Sequence, residues 1–472
     1  MYVQIGGWKL YNQPDWPKFT YPGAEKELSK TIFESLQQDN APVELILGIL
    51  PSGASYLLIG EHQLRVICEK KRLPYPNQKS LIEGGKFESL SPIYFENYGE
   101  LTAKLSKHAP KKGRLHQTDT SQANRSFSEP SEEYLGRAIF EQMRLLQLVL
   151  KSPTDDFETY QVLDTSKFNN IKVISFAYTQ WASDGRLWTE KQSNPTAKHL
   201  DVGFAVADGH SLYPLHDKAA HFYNSQNDLL GQRGQQKVDF RPDISLRVGP
   251  DELKTRIQQI FLETAGTDTI ILLVYNQKMA LNVLQAYGVV TDTWETGGLK
   301  NLLYSKPSRN RYSENPTSHS TRTRQRSSRS RSPRRRDPRP RSPAPDSSRG
   351  TVYVVDIQNL AAALFHTGEK PLNDVARDFD FPFSGWNAAR DADTLIHIYR
   401  AMSDGPSIDQ QHELRARSLS QQQQSGPSVS TPSTSAMPDD EETDPNDIVQ
   451  GSANGQNQGY YSEESEYDDD SD

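Results

Sequence analysis

Apolar positions recur at helical spacing over residues 26–38, where Leu28, Ile32, Phe33 and Leu36 fall on one side. Two short apolar stretches follow, 43–50 and 56–59, parted by Pro51-Ser52-Gly53, and they read as strands joined by a turn. Residues 64–72 return to helical spacing with Val66 and Ile67 inward. Residues 1–110 are therefore expected to form a small α/β domain. The aromatics of the opening, Trp8, Tyr11, Trp16, Phe19 and Tyr21, read as packed edges of that small core.

Residues 111–132 are polar and read as a linker. A helix should follow, with Ser131 as its cap, Glu132 and Glu133 in its first turn, and Leu135, Ile139, Met143, Leu146 and Leu150 on its packing side. Strands are expected over 171–178 and 200–207, with a third near 221–224. Beyond them come a helix over 251–263 behind Pro250, a buried strand at 269–275, and a helix over 278–287 that Gly288 ends. A strand at 351–356 and helices at 357–365 and 390–402 complete the pattern. Strands first, then helices alternating with strands, predict one mixed sheet flanked by helices over residues 133–402.

Composition changes this picture at two places. A hydrophobic content of 35%, with 29 Gly and 29 Pro, is too low for one continuous globule of 472 residues. The formal charge of -8 conceals two opposed segments. Residues 305–350 hold 14 Lys/Arg against 3 Asp/Glu, and residues 403–472 hold 16 Asp/Glu against 2 Arg. The basic stretch, 306–350, falls between two elements of the expected sheet, so it is an insertion within a domain. The tail, 403–472, is Gln/Ser-rich and then acidic. Both are expected to be disordered. A single cysteine, Cys68, excludes an intrachain disulfide and a cysteine-built zinc site. Residues 1–10 lack the pattern of a secretory signal, and the longest apolar runs are far short of a membrane span, so a soluble protein is expected.

Val352-Tyr-Val-Val-Asp-Ile-Gln358, followed by Trp386-Asn-Ala-Ala-Arg-Asp391-Ala392, resembles the end of the fungal Gfd-two-type C-terminal domain. Leu272-Leu-Val-Tyr-Asn-Gln-Lys278 and Gly288-Val-Val290 resemble its central strand and helix. The resemblance covers roughly residues 134–402. It implies a ribonuclease H-like fold related to the 3'–5' exonucleases of the DEDD clan. It also implies four carboxylates holding two divalent metals, one to activate water and one to stabilise the leaving oxygen. An Asp-x-Glu pair is then expected where this chain has Ala177-Tyr178-Thr179, and a general-base His where it has Trp386. No acid occurs between residues 275 and 290 either. Only Asp391 stands where the pattern wants it, which makes it the one metal-ligand candidate the resemblance leaves.

Other chemistry is equally incomplete. His199, His210, His216 and His221 crowd one region, but their spacing fits no zinc motif. Residues 48–55 lack the Lys of a phosphate-binding loop, and no Gly-x-Ser-x-Gly elbow is present. The insertion is more informative. Arg326, Arg329, Arg331, Arg334, Arg335 and Arg336 stand among serines, as in RNA-processing proteins. Such arginines neutralise phosphates without reading sequence and stack on unpaired bases. Arg334–Arg336 with Arg339 and Arg341 also read as a nuclear import signal, so a nuclear protein is expected. The reading is a nuclear, nucleic-acid-binding pseudonuclease without cofactor, its partner RNA or another single strand. Two alternatives stand beside it. One is an active exonuclease using Mg²⁺ or Mn²⁺ on an atypical set such as Asp201, Asp356 and Asp391. The other is a scaffold that recognises Arg/Ser-rich RNA-processing proteins.

Overall fold

The computed structural model describes residues 1–5, 24–76, 81–109, 121–124, 127, 132–181, 186–215, 218–227, 244–264, 269–304, 351–366, 368–381 and 387–424. β1 (Tyr2–Ile5), β2 (Val43–Ile49), β3 (Ser55–Gly60) and β4 (Ser89–Phe95) pair antiparallel in the order β1-β3-β2-β4. The 43–50 run is apolar nearly throughout because β2 is central and covered on both faces. One face carries α1 (Ala24–Leu36), α2 (Glu61–Lys71) and α3 (Tyr98–His108), whose Leu28, Ile32, Leu64 and Leu101 pack with Leu45 and Leu47. On α2 the buried residues are Leu64, Ile67 and Cys68, so of the expected inward pair Val66 is displaced to the margin. The opening aromatics lie outside the described residues.

α4 (Glu132–Lys151) joins this sheet to the rest of the chain. Phe140, Met143, Leu146 and Val149 share one apolar cluster with Leu58 and Leu90 of the first sheet and with Val173, Leu273 and Val355 of the second. The buried Glu141 carboxylate on α4 accepts from Ser91 Oγ, from Arg144 and from the amide of Ile408 at 2.6 Å. Side chains also close the outer edge of β4, which would otherwise offer unpaired backbone. Leu90 N donates to Tyr304 Oη at 3.1 Å, and Glu88 O and Tyr94 O accept from Gln142 at 2.8 Å and Gln410 at 2.7 Å.

The expected boundaries at 110 and 132 therefore do not separate two domains. Residues 1–419 gather into one compact unit. Asn124, within the expected linker, is buried and bonds Ser55 through both backbone groups, at 2.8 and 3.0 Å. A second unit, residues 420–472, enters the described residues only at 420–424.

The second sheet has six strands in the order β10-β9-β5-β6-β7-β8. In chain order the elements are β5 (Ile171–Gln180), α5 (Trp188–Ser193), β6 (His199–Asp208), β7 (Ala220–Asn224), β8 (Ser245–Val248), α6 (Pro250–Thr264), β9 (Thr269–Val274), α7 (Gln277–Ala286), α8 (Lys300–Leu303), β10 (Val352–Asp356), α9 (Ile357–Phe365), α10 (Leu372–Asp378), α11 (Ala388–Ser403) and α12 (Ile408–Gln424). β5, β6 and β7 run antiparallel in succession, whereas β9 and β10 add parallel to β5, and β8 adds parallel to β7. α6 and α7 cover one face through Leu253, Ile257, Val283 and Leu284. α4, α9 and α11 cover the other through Phe140, Leu360, Leu395 and Tyr399. The molecule is thus α/β, with a mixed sheet flanked by helices as the pattern predicts. No helix among the described residues is long and apolar enough to cross a membrane.

The expected break after residue 402 is also corrected. α12 is a helix docked on the unit, with Ile408 and Gln411 buried. The insertion at 306–350 and the tail beyond 424 lie outside the described residues.

Candidate functional site

Strand register decides what faces α11. Ala177 pairs with Gly203 and Thr179 with Asp201 across β5–β6; Gly203 pairs in turn with His221, and His221 with Ser245. Residues directly opposite across a ladder share a face, so these side chains form one patch. α11 sits on it where Gly203 lacks a side chain. A Cβ there would come within 2.2 Å of the Ala388 carbonyl carbon and the Ala389 nitrogen. Asn387 starts the helix, its Oδ1 accepting from the amides of Ala389 at 3.0 Å and Arg390 at 3.1 Å. This seats Asp391 in the first turn of α11, close enough for Asp201 to act on its titration.

The patch differs from a four-carboxylate centre. Ala177 contributes a buried methyl and Thr179 a hydroxyl. A carboxylate comes instead from β6, since Asp201 is fully buried opposite Thr179. Asp201 Oδ2 accepts from Ala388 N at 2.9 Å and lies 2.8 Å from His221 Nε2; His221 Nδ1 lies 2.8 Å from Ser245 Oγ. Burial, reinforced by the charge of Asp201, pushes the Asp391 carboxyl up to about 7. Asp201 Oδ1, Asp391 Oδ1 and Thr179 Oγ1 are closed off from solvent with no hydrogen-bond partner. Trp386 lies outside the described residues.

Asp356 does not join them. It caps α9, accepting from Gln358 N at 3.0 Å, and reaches across to Asn276 N at 3.2 Å and Gln277 N at 2.8 Å. Both its oxygens are thus occupied by the turns that follow β9 and β10. The atypical set of Asp201, Asp356 and Asp391 is corrected to a pair, Asp201 and Asp391. Among the described residues, no three His, Cys, Asp or Glu side chains form a group able to hold a metal ion.

The histidines disperse for the same reason of register. His199 stacks on Tyr178 at 4.8 Å, and its Nδ1 lies 3.0 Å from Tyr287 Oη. Complete burial lowers its imidazole to about 3. His210 lies against the end of α4, 2.9 Å from Leu150 O, and His216 falls outside the described residues. The six arginines of the insertion also fall outside them. The insertion's flanks make contacts of their own. Tyr304 bonds to Leu90, and Val352 pairs with Ile270 inside the second sheet.

The Ser245–His221–Asp201 chain was not expected from the sequence. Only the pairing of β7 with the short β8 brings Ser245 to His221, and no spacing in the sequence encodes it. Its connectivity matches a nucleophile, a base and an orienting acid. Acyl transfer also needs oxyanion donors, and the amides that open α11 are occupied. Of the first three amides of α11, Asp201 takes Ala388 and Asn387 takes Ala389 and Arg390. His221 thus links a buried acid to Ser245 beneath the N-terminus of α11. No protein-family model matches the chain, and no curated protein matches it either.

Proposed function

We propose that this chain is a ribonuclease H-like pseudonuclease that binds nucleic acid, RNA foremost, through the arginines of its insertion. The observation that carries the reading is the replacement of the β5 acids by Ala177 and Thr179, on the face where Asp391 is seated. A two-metal mechanism needs several convergent carboxylate oxygens to offset metal dehydration. One acid from α11 and one from β6, the latter already committed to His221 and Ala388, do not supply them. A mixed sheet of antiparallel strands followed by helix-linked parallel strands supports the fold that the resemblance implies. The Arg/Ser run supports an electrostatic contact with phosphate, and its Arg334–Arg336 cluster supports nuclear import. The test is incubation of end-labelled single-stranded RNA and DNA with the protein and Mg²⁺ or Mn²⁺. The oligonucleotides are expected to stay full length. Shortening from the 3' end that is lost in Asp391→Ala would overturn the reading in favour of an active exonuclease.

A further inference from the structure

α12 is held unlike any other long helix of the unit. Among its described side chains only Ile408 and Gln411 are buried, and Leu414 is exposed. Its grip is ionic. Asp409 pairs with Lys104 at 2.7 Å and with Arg137, while Glu413 pairs with Lys107 at 2.8 Å and reaches Lys104 at 3.6 Å. Lys104 and Arg137 are only 6% and 5% exposed, so the helix covers them. The Arg137 guanidinium also lies over the Phe127 ring at 4.2 Å, and Arg415 lies over Phe365 at 4.8 Å and Phe379 at 4.6 Å. Beneath α12, then, lies a surface of cations, Lys104, Lys107 and Arg137, with the Phe127 ring against Arg137 and the Phe365 and Phe379 rings against the helix's own Arg415. Its present occupant offers two carboxylates one helical turn apart.

Cations sequestered by a chain's own acids, with little apolar burial to hold the lid, make an element of low local stability. They also match what a phosphate backbone asks of a surface: closely spaced cations with aromatic faces beside them. We infer that α12 is an electrostatic latch, its acids standing in for phosphates, and that its release opens the Lys104–Lys107–Arg137 surface to single-stranded nucleic acid. The inference rests on the nucleic-acid reading above but concerns a different surface from the insertion.

The test uses the full-length chain in two forms that loosen the helix, Asp409→Asn with Glu413→Gln, and separately Ile408→Asp. The second adds negative charge, so any gain in RNA affinity cannot come from added positive charge. Amide hydrogen exchange over residues 408–419 reports release, and anisotropy of a labelled single-stranded RNA at low salt reports binding. The expected result is loss of protection together with tighter RNA binding, on the order of tenfold, cancelled by adding Lys104→Ala and Lys107→Ala. A peptide of residues 408–424 should compete with the RNA for the opened surface. Protection that persists in both forms would show that neither ion pairs nor Ile408 hold the helix, and would overturn the latch. Release without a gain, or a gain that survives loss of both lysines, would overturn the binding surface. If the opened protein takes the peptide but no additional RNA, the surface is a docking site for acidic helices and the inference fails. The insertion reading fails separately, on arginine substitutions made with the latch closed.

Discussion

At the scale of single residues, the site turns on two carboxyl groups that share one buried patch. Asp391 titrates higher in the folded chain than the ~3.9 of an unfolded aspartate, because burial and the charge of Asp201 both disfavour its ionised form. The native state therefore holds the proton more tightly than the unfolded state. The stability this group contributes is complete below about pH 4 and is lost as pH rises towards 7. Asp391→Asn should remove that slope, leaving the variant more stable relative to the parent at pH 8 than at pH 4. Urea unfolding of both proteins at the two pH values checks it; parallel pH dependence in parent and variant would contradict it. Asp391 was legible in the sequence because it stands in a motif. Asp201 was legible only as an acid near a strand end, since its partnership with Thr179, His221 and Ala388 depends on cross-strand register and on Gly203 admitting α11.

At the scale of elements, apolar periodicity located much of what is held by apolar burial, though it passed over the buried β1, β4 and α3. α1, α4, α6, β5, β6, β9, β10, α9 and α11 lie where the pattern placed them, within a few residues. It was silent where burial is not the glue. α12 is rich in Gln and docks by charge, so no stripe marks it. β8 is a four-residue edge strand with two exposed positions. Caps were partly visible: Asp356 read as a strand-end acid, yet it terminates one unit of structure and begins two. Through Gln358, Asn276 and Gln277 it satisfies amides at the starts of both α9 and α7. Losing an ordinary helix cap costs about 1 kcal/mol. Asp356→Ala leaves three amides without their acceptor and should cost about 2–3 kcal/mol, read as a fall in the denaturation midpoint. A loss no larger than that of Asn387→Ala, which removes the cap of α11 alone, would show that Asp356 serves one helix and not two.

Above the elements, two sheets share α4 and a continuous apolar cluster, and the expected small N-terminal domain is one part of a single unit, residues 1–419. The sequence could not reveal this, because the polar run at 111–132 looks like any linker until Asn124 is seen bonded to Ser55. The insertion is flanked by Tyr304, which bonds to Leu90, and by β10, which pairs with β9, so both flanks make their own contacts. Deleting residues 308–348 should therefore leave the thermal midpoint within a few degrees of the parent, since long insertions at such a place contribute little to folding. A large fall would mean that the insertion is part of the folded unit.

The proposed function assigns binding to the arginines of the insertion and not to the Asp201–Asp391 patch, and that assignment is the central claim. The most direct measurement is RNA affinity as a function of salt for the parent and for a variant with Arg326, Arg329, Arg331, Arg334, Arg335 and Arg336 all changed to Ala. Each phosphate neutralised on a single strand adds about 0.7 to the slope of log affinity against log salt. The parent should show a steep slope, and the variant a weaker affinity with a slope flatter by about 2–4. Equal affinity and equal slope in the two proteins would contradict the account and leave a protein-interaction scaffold as its replacement.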